Sequence, residues 1–514
     1  MIDSFFPIRR KIPISPSIVL SLFRRQFILG PHFIEELADW NRLKIGKNLC
    51  LSAHPELNVI HRASTDGSLT LLGYILNPRQ PEADDGMIID QLLGKMHAAK
   101  DISDTIRSTE TLGGRWILIA GFKDKWFLFN DPCGYRAVHY TANPGEADFW
   151  CASQPGLFPF VMNLIEDPDA IDYLDTRKYE HYGNKEYIFP GDSSIYKEIK
   201  HLLPNHYLNL ISGEVKRHWP NKPLEAIDFN DCIEESSRFL INTMQAVSMR
   251  FRLSLALTAG RDSRLILASS KKIAEQIHFF TGIYWTLNKN SPDIVIPAKL
   301  LSQFNFKYQP IQCPKKMSLG FAKIYNANVT PVHEVYGTIA QGFYEKFPQD
   351  RVMLIGSAIP IVKGACHSYR KNDKITPSVF AKAMNVSDSV FALKYTLEWL
   401  NGTRNNIYNI DIMDLFQWEI LEGNWQSMSQ LEWDLVTKEI FVPYNNRYLI
   451  TLILGVEKTH RINPEYRLHE ALIRKMWPEL LKLPINPCEK NSKIIFKRSK
   501  AKMKWILQKS RLLK

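Results

Sequence analysis

No two of the seven cysteines (Cys50, Cys133, Cys151, Cys232, Cys313, Cys366, Cys488) form the close pair that zinc sites use. Their odd number and wide scatter predict free thiols in a reduced, cytoplasmic setting, each a small buried apolar side chain. Long apolar runs are also missing. Nothing approaches the roughly 20 residues that span a bilayer, and the run from Ser17 to Phe23 stops at Arg24 and Arg25 without a small-residue cleavage site, which argues against a secretory leader. Internal repeats and low-complexity linkers are absent. Acids are scarce at the end of the chain: Glu489 to Lys514 holds ten lysines and arginines against one acid, which is +9 of the net +12. Ile494, Phe496, Trp505 and Leu512 are interleaved there, so the tail reads as a basic amphipathic helix, suited either to an acidic partner or anionic membrane or to packing on its own domain.

What is present is a chain of 514 residues, 45% hydrophobic, longer than one core supports. The texture changes near residue 220. Before it, short strand-like segments (Trp116 to Ala120, Trp126 to Asn130, Ala137 to Thr141, His206 to Ile211) are separated by turn residues. After Pro223 the pattern alternates: helix Phe229 to Met249, strand Leu253 to Leu257, helix from Ser263, strand Ile277 to Gly282, helix Pro292 to Phe304, strand Lys307 to Gln312. That alternation predicts parallel strands with crossover helices, and the stretch beyond Pro377 reads as a helical cap. The expected domains are residues 1–220, 221–488 and a tail at 489–514.

The segment Leu257-Thr258-Ala259-Gly260-Arg261-Asp262-Ser263-Arg264 lies between an apolar strand and an amphipathic helix. Small residues at 258, 259 and 260 let backbone N–H groups approach phosphates, and the helix N-terminus adds partial positive charge. Asp262 has the hard oxygens that suit magnesium beside phosphate. Arg261 and Arg264 would neutralise charge on a departing pyrophosphate or face water.

This segment resembles the pyrophosphate loop of the asparagine synthetase superfamily, Ser-Gly-Gly-Leu-Asp-Ser-Ser, with Thr258, Gly260, Asp262 and Ser263 matching or conservatively replacing it. Thr281-Gly282, Ser291-Pro292-Asp293 through Leu300, Gln426 to Ser429 with Glu432, and Pro443 to Leu449 are similar to the family's later signatures, in the same order. Leu112 to Trp116 and Asn130 to Arg136 with Tyr140, then Gly191 and Leu203-Pro204, resemble its glutaminase domain. The resemblance implies an α+β, Ntn-hydrolase-like layered β domain followed by an α/β, adenine nucleotide alpha hydrolase-like parallel sheet with a helical C-terminal subdomain. It also implies ATP and Mg²⁺ as cofactors. Leu257, Thr258, Ala259, Gly260, Arg261, Asp262, Ser263, Gly282, Gly356 and Ser357 would contact nucleotide, with Asp262 on the metal.

Three departures stand against that pattern. The family's nucleophilic cysteine at position 2 is absent from a chain that begins Met1-Ile2, and lasso peptide cyclases and beta-lactam synthetases likewise lack it, so glutamine hydrolysis is not expected. Its acidic loop, Ser-Gly-x-Gly-x-Asp-Glu, aligns with Ile355-Gly356-Ser357-Ala358-Ile359-Pro360-Ile361, after Val352-Met353-Leu354, and both acids are gone. Its late-helix lysine falls in Glu465-Tyr466-Arg467-Leu468-His469-Glu470, where either Arg467, or Arg461 before it, would carry the positive charge, or the arginine lies on the helix surface and His469 is exposed. The expected function is ATP-dependent amide-bond formation: a carboxylate is activated as an acyl-adenylate and captured by an amine, both from small molecules or peptides. The alternative is an inactive nucleotide-binding or interaction module. Nucleic-acid modification is a third, weaker reading without a supporting motif.

Overall fold

The computed structural model describes residues 22–65, 67–142, 149–177, 188–284, 287–329, 336–370, 374–386 and 389–487. The expectations for Met1-Ile2, Cys488 and the basic tail lie outside these residues. Among the described residues no helix is long and apolar enough to cross a membrane.

The first half is built from two antiparallel sheets of six strands, with β1 (Phe27–Gly30), β2 (Asn41–Gly46), β3 (Leu49–Ala53), β4 (Val59–Ala63), β5 (Gly67–Leu76), β6 (Gly113–Phe122), β7 (Lys125–Asn130), β8 (His139–Thr141), β9 (Cys151–Ala152), β10 (Ile199–His201), β11 (His206–Asn209) and β12 (Val215–Arg217). Their orders are β10-β8-β9-β1-β3-β2 and β12-β11-β7-β6-β5-β4. The period of two in β6 explains why the sheets stack. Ile117 and Ile119 face Leu29, Leu51 and Leu128 between the sheets. Trp116 and Leu118 face Ile88, Leu92 and Met96 of the helix Asp85–His97 on the outer side. All ten residues of β6 are therefore buried.

The second half carries a five-stranded sheet of β13 (Leu253–Ala256), β14 (His278–Ile283), β15 (Tyr308–Gln312), β16 (Val352–Leu354) and β17 (Glu439–Phe441), in the order β15-β14-β13-β16-β17. Every pairing in it is parallel. The chain runs outward from β13 to β15, then returns to lay β16 on the other side of β13, so the direction of winding reverses between β13 and β16. In open parallel sheets ligands bind at the carboxyl ends of the strands at such a reversal. The helical stretch expected beyond Pro377 contains β17, a correction: three residues are too short for their period to be read. It also contains a π-helix at Gln417–Gln426, a form concentrated at functional sites.

The turn Asn130 to Arg136 clasps the two halves together. Asp131 accepts from the amides of Tyr135 (3.0 Å) and Arg136 (2.9 Å) and from Asn445 Nδ2 (2.7 Å), while Asn445 Oδ1 accepts from the Cys133 amide (2.9 Å). Arg115 forks onto Asp434 at 2.6 and 2.9 Å and reaches Glu439 at 3.0 Å; Arg136 also pairs with Glu439. Burial would raise the Glu439 carboxyl, but Arg136, Arg115 and Arg25 hold it well below the usual range. One apolar core runs from Leu22 and Ile28 in the first half to Leu472 and Leu480 in the second.

Candidate functional site

At the reversal, the segments leaving β13 and β16 face each other. Leu257 is buried, and its amide extends the β13 ladder to the Phe280 carbonyl at 2.9 Å. The next three amides are bonded to side chains. Ser263 Oγ accepts from Thr258 N (3.1 Å), Asp293 Oδ1 from Ala259 N (3.0 Å) and Thr258 Oγ1 from Gly260 N (3.1 Å). The small residues thus shape the turn, and the donors that face outward belong to the helix Arg261–Ser269. Its N-cap, Gly260, has no capping side chain, so the first-turn amides and the dipole point out from the sheet edge.

From β16, Gly356 packs directly on Asp262: a Cβ there would lie 3.0 Å from the Asp262 Cβ, which accounts for the glycine. Ser357 Oγ donates to Gln426 Oε1 at 3.4 Å. Ala358 is left-handed, at φ 65°, and donates its amide to Glu422 Oε2 at 3.1 Å. The short helix Ile359–Val362 then delivers Lys363, whose Nζ sits 2.8 and 2.6 Å from the two Asp262 oxygens. Glu422 comes from the π-helix and also accepts from Tyr135 at 2.6 Å. Burial pushes its carboxyl up, and the bonds from Tyr135, Ala358 and Gln417 and the Lys363 charge pull it back.

Positive charge gathers round this contact. The Arg261 guanidinium lies 4.3 Å from the Tyr466 ring centroid. Buried Arg461 donates to the Val362 carbonyl (3.2 Å) and to Asp414 (2.7 Å), which puts it one residue from Lys363. His469 is 1% exposed, not surface-facing as expected, because Leu468, Leu472 and Ile473 draw this helix into the core. Burial, then the charges of Lys363, Arg261 and Arg461, push its imidazole down to about 3. Among the described residues neither of its ring nitrogens has a hydrogen-bond partner, nor does the Tyr444 hydroxyl, which burial and the charge of Asp262 push well above its ordinary range.

Of the residues singled out in the sequence, Thr258, Ala259, Gly260, Arg261, Asp262, Ser263, Gly356, Ser357 and Arg461 come together here. Gly282 lies further along the edge, on β14, where an added Cβ would meet the Phe343 and Tyr284 rings at 3.2 to 3.3 Å. Arg467 lies over the Phe229 ring at 5.7 Å, and no hydrogen bond or ion pair among the described residues joins it to the loop. Arg264 neither meets phosphate nor faces water: it is fully buried and donates to the carbonyls of Leu480 (3.2 Å), Leu483 (2.6 Å) and Pro484 (3.0 Å), while the Asn486 amide bonds the Ala259 carbonyl at 3.1 Å. Sequence reasoning missed Lys363, Glu422 and the partner role of Asp293; only Asp293, in the first turn of a helix after Pro292, carried a local signal.

The residues do not fit magnesium. Asp262 has both oxygens bonded to Lys363, Glu422 is taken up by Tyr135 and Ala358, and among the described residues no group of three acid, histidine or cysteine side chains could hold a metal. Asp262, the carboxylate expected on the metal, is bonded through both oxygens to Lys363 instead. On the other side of Arg461 a cavity of about 670 Å³ is lined by Arg370, Ile375, Leu400, Asp411 and Lys458, with mixed charged and apolar walls.

No family model and no curated protein sequence matches the chain. Solved structures with some likeness include the allosteric regulatory enzyme of purine biosynthesis, 13% identical with a TM-score of 0.24 over 57% of this chain and 67% of that one. Another is the glutamine phosphoribosylpyrophosphate amidotransferase of B. subtilis, complexed with ADP and GMP, at 11% identity and TM-score 0.25 over 66% and 95%. A third is the glutamine-dependent NAD+ synthetase of Acinetobacter baumannii, in complex with ADP, at 14% and 0.18 over 38% and 42%. At these scores none of the three assigns the chain to a family.

Proposed function

We propose that this chain is an ATP-dependent, amide-bond-forming enzyme of the asparagine synthetase type, working without glutamine hydrolysis. The observation that carries the reading is the uncapped helix Arg261–Ser269 at the winding reversal of a parallel sheet, opening among Lys363, Arg261, Arg461 and an unpartnered buried His469. Buried polar atoms without partners also occur at His139, His201 and Gln430, so the reading rests on such atoms meeting a helix N-terminus and clustered cations at this edge.

In the reaction a carboxylate oxygen attacks the α-phosphorus, the bond from that phosphorus to the bridging oxygen breaks, and pyrophosphate leaves. An amine then attacks the acyl carbonyl, AMP departs, and the amine's proton passes to solvent. The protein positions the phosphates and stabilises charge on them, which the helix terminus and clustered cations are suited to do. The cavity beyond Arg461 is the natural seat for the acid, its apolar wall holding the body and its cations the carboxylate. The cysteines with resolved shifts argue against thiol chemistry: burial pushes Cys133 and Cys151 far up, Cys232 and Cys313 to about 11 and Cys366 to about 12.

The test is exchange of labelled pyrophosphate into ATP across a panel of carboxylic acids, together with ATP-induced thermal stabilisation. Gly356→Val, which drives a side chain into Asp262, should abolish both while retaining the native circular dichroism spectrum. No exchange, and no shift in Tm at ATP concentrations on the order of 1 mM, would leave the interaction module as the answer.

A further inference from the structure

We propose that Lys363 takes the place of a divalent metal in this site, so that the polyphosphate is gripped by two side-chain cations and a helix terminus with no magnesium between them. The inference rests on the nucleotide reading above and names how that site holds its ligand.

The geometry is that of an ammonium ion lodged where a shared cation would sit. Lys363 Nζ lies 2.8 and 2.6 Å from the two Asp262 oxygens, at charge-assisted hydrogen-bond distance. A lysine has three N–H donors. Two are engaged by Asp262, and the third is left to donate to an anion seated before the amides that begin the helix Arg261–Ser269. Asp262 is then the residue that holds the lysine in place, with Gly356 packed on its Cβ to fix the carboxylate.

The rest of the site leaves a magnesium ion poorly served. Magnesium demands near-octahedral oxygen ligands at about 2.0–2.1 Å. The segment that faces Asp262, Ile355 to Ile361, has no acid, and two other carboxylates of the site are engaged, Glu422 by the Tyr135 hydroxyl and the Ala358 amide and Asp293 by the Ala259 amide.

The surrounding groups point to an anion. His469 is 1% exposed with both ring nitrogens unpartnered, and the charges that act on it are Lys363, Arg261 and Arg461. Arg461 donates from its terminal nitrogens to Asp414 and the Val362 carbonyl, and among the described residues the Nε atoms of both Arg461 and Arg261 are without a partner. A phosphate oxygen would satisfy Lys363, Arg261 and a His469 N–H together.

Isothermal titration of the full chain with ATP, and separately with inorganic pyrophosphate, tests this in EDTA and in magnesium. The expected result is binding in EDTA within about threefold of that in magnesium, and a loss of roughly tenfold or more in Lys363→Met, partly restored in Lys363→Arg. Asp262→Asn, which keeps one side-chain oxygen to position the lysine, separates the two designs whatever becomes of the lysine variants: a lysine site keeps its binding in EDTA, whereas a metal site loses its magnesium-dependent binding. Binding that requires magnesium and vanishes in Asp262→Asn would overturn the inference and leave the nucleotide reading standing. Binding in neither buffer would remove both.

Discussion

Two buried polar regions lie on either side of the π-helix, and they are built differently. At the clasp between the halves, Arg115, Arg136, Asp434, Glu439, Asp131 and Asn445 all have partners, most of them charged and several of them forked. At the β13–β16 edge, His469 and Tyr444 are as deeply buried and have none among the described residues, and Arg261 keeps an unpartnered Nε. Burial without a hydrogen bond costs free energy that burial with one does not. The paired charges join the two halves, and on the nucleotide reading the edge that holds His469, Tyr444 and Arg261 is where the anion sits. Glu422 belongs to both: Tyr135 from the clasp and Ala358 from the site share its Oε2.

The contrast breaks most easily at Asp434. It is fully buried and receives both arms of Arg115, and Asp434→Ala strands that guanidinium without its main acid. Removing one member of a buried pair costs about 3–5 kcal/mol. The midpoint of urea unfolding should fall accordingly. A loss under about 1 kcal/mol, the range of surface ion pairs, would show that the clasp is not held by its saturated ion pairs.

The same contrast explains what can be read in the sequence. Both β13 and the turn after it are legible because local rules produce them: an apolar strand, then small residues, then a helix. The long helix Phe229–Arg250 is legible for the same reason. Lys363 is not, since nothing within ten residues of it announces Asp262; only the parallel pairing of β13 with β16 brings them together. Glu422 depends on the register of a π-helix, which sequence periodicity does not reveal. Arg264 resembles a phosphate ligand because its neighbours do, yet helical geometry turns it inward onto Leu480, Leu483 and Pro484. The Asn130 to Arg136 turn is visible as a motif, but its role in joining the halves lies in partners some three hundred residues away.

Where the regions meet, Tyr135→Phe removes the hydroxyl that donates to Glu422 at 2.6 Å. The loss should be about 1–3 kcal/mol, that of a buried acceptor deprived of a donor. It should also depend on pH with a definite sign. Burial already raises the Glu422 carboxyl in the native state, and losing a donor raises it further. A carboxylate whose native value exceeds its unfolded one contributes a penalty that is full above the native value and fades as the group protonates. The Tyr135→Phe deficit should therefore be larger at pH 8 than at pH 5. An equal deficit at both would mean that Glu422 does not feel the hydroxyl.

The smallest effect belongs to Tyr444, the counterpart of Tyr135 on the unsaturated side. Both rings are almost wholly buried, so their removal from water contributes similarly, and only the hydroxyls distinguish them. The Tyr135 oxygen has Glu422, whereas the Tyr444 oxygen has no partner. Tyr444→Phe deletes an unsatisfied polar atom and nothing else, so unfolding free energy should fall by no more than about 0.5 kcal/mol and can rise. Urea unfolding of the two phenylalanine variants in parallel measures the difference directly. Equal losses would mean that the Tyr444 hydroxyl is bonded as firmly as that of Tyr135, and the edge between β13 and β16 would then be closed architecture rather than an open seat for an anion.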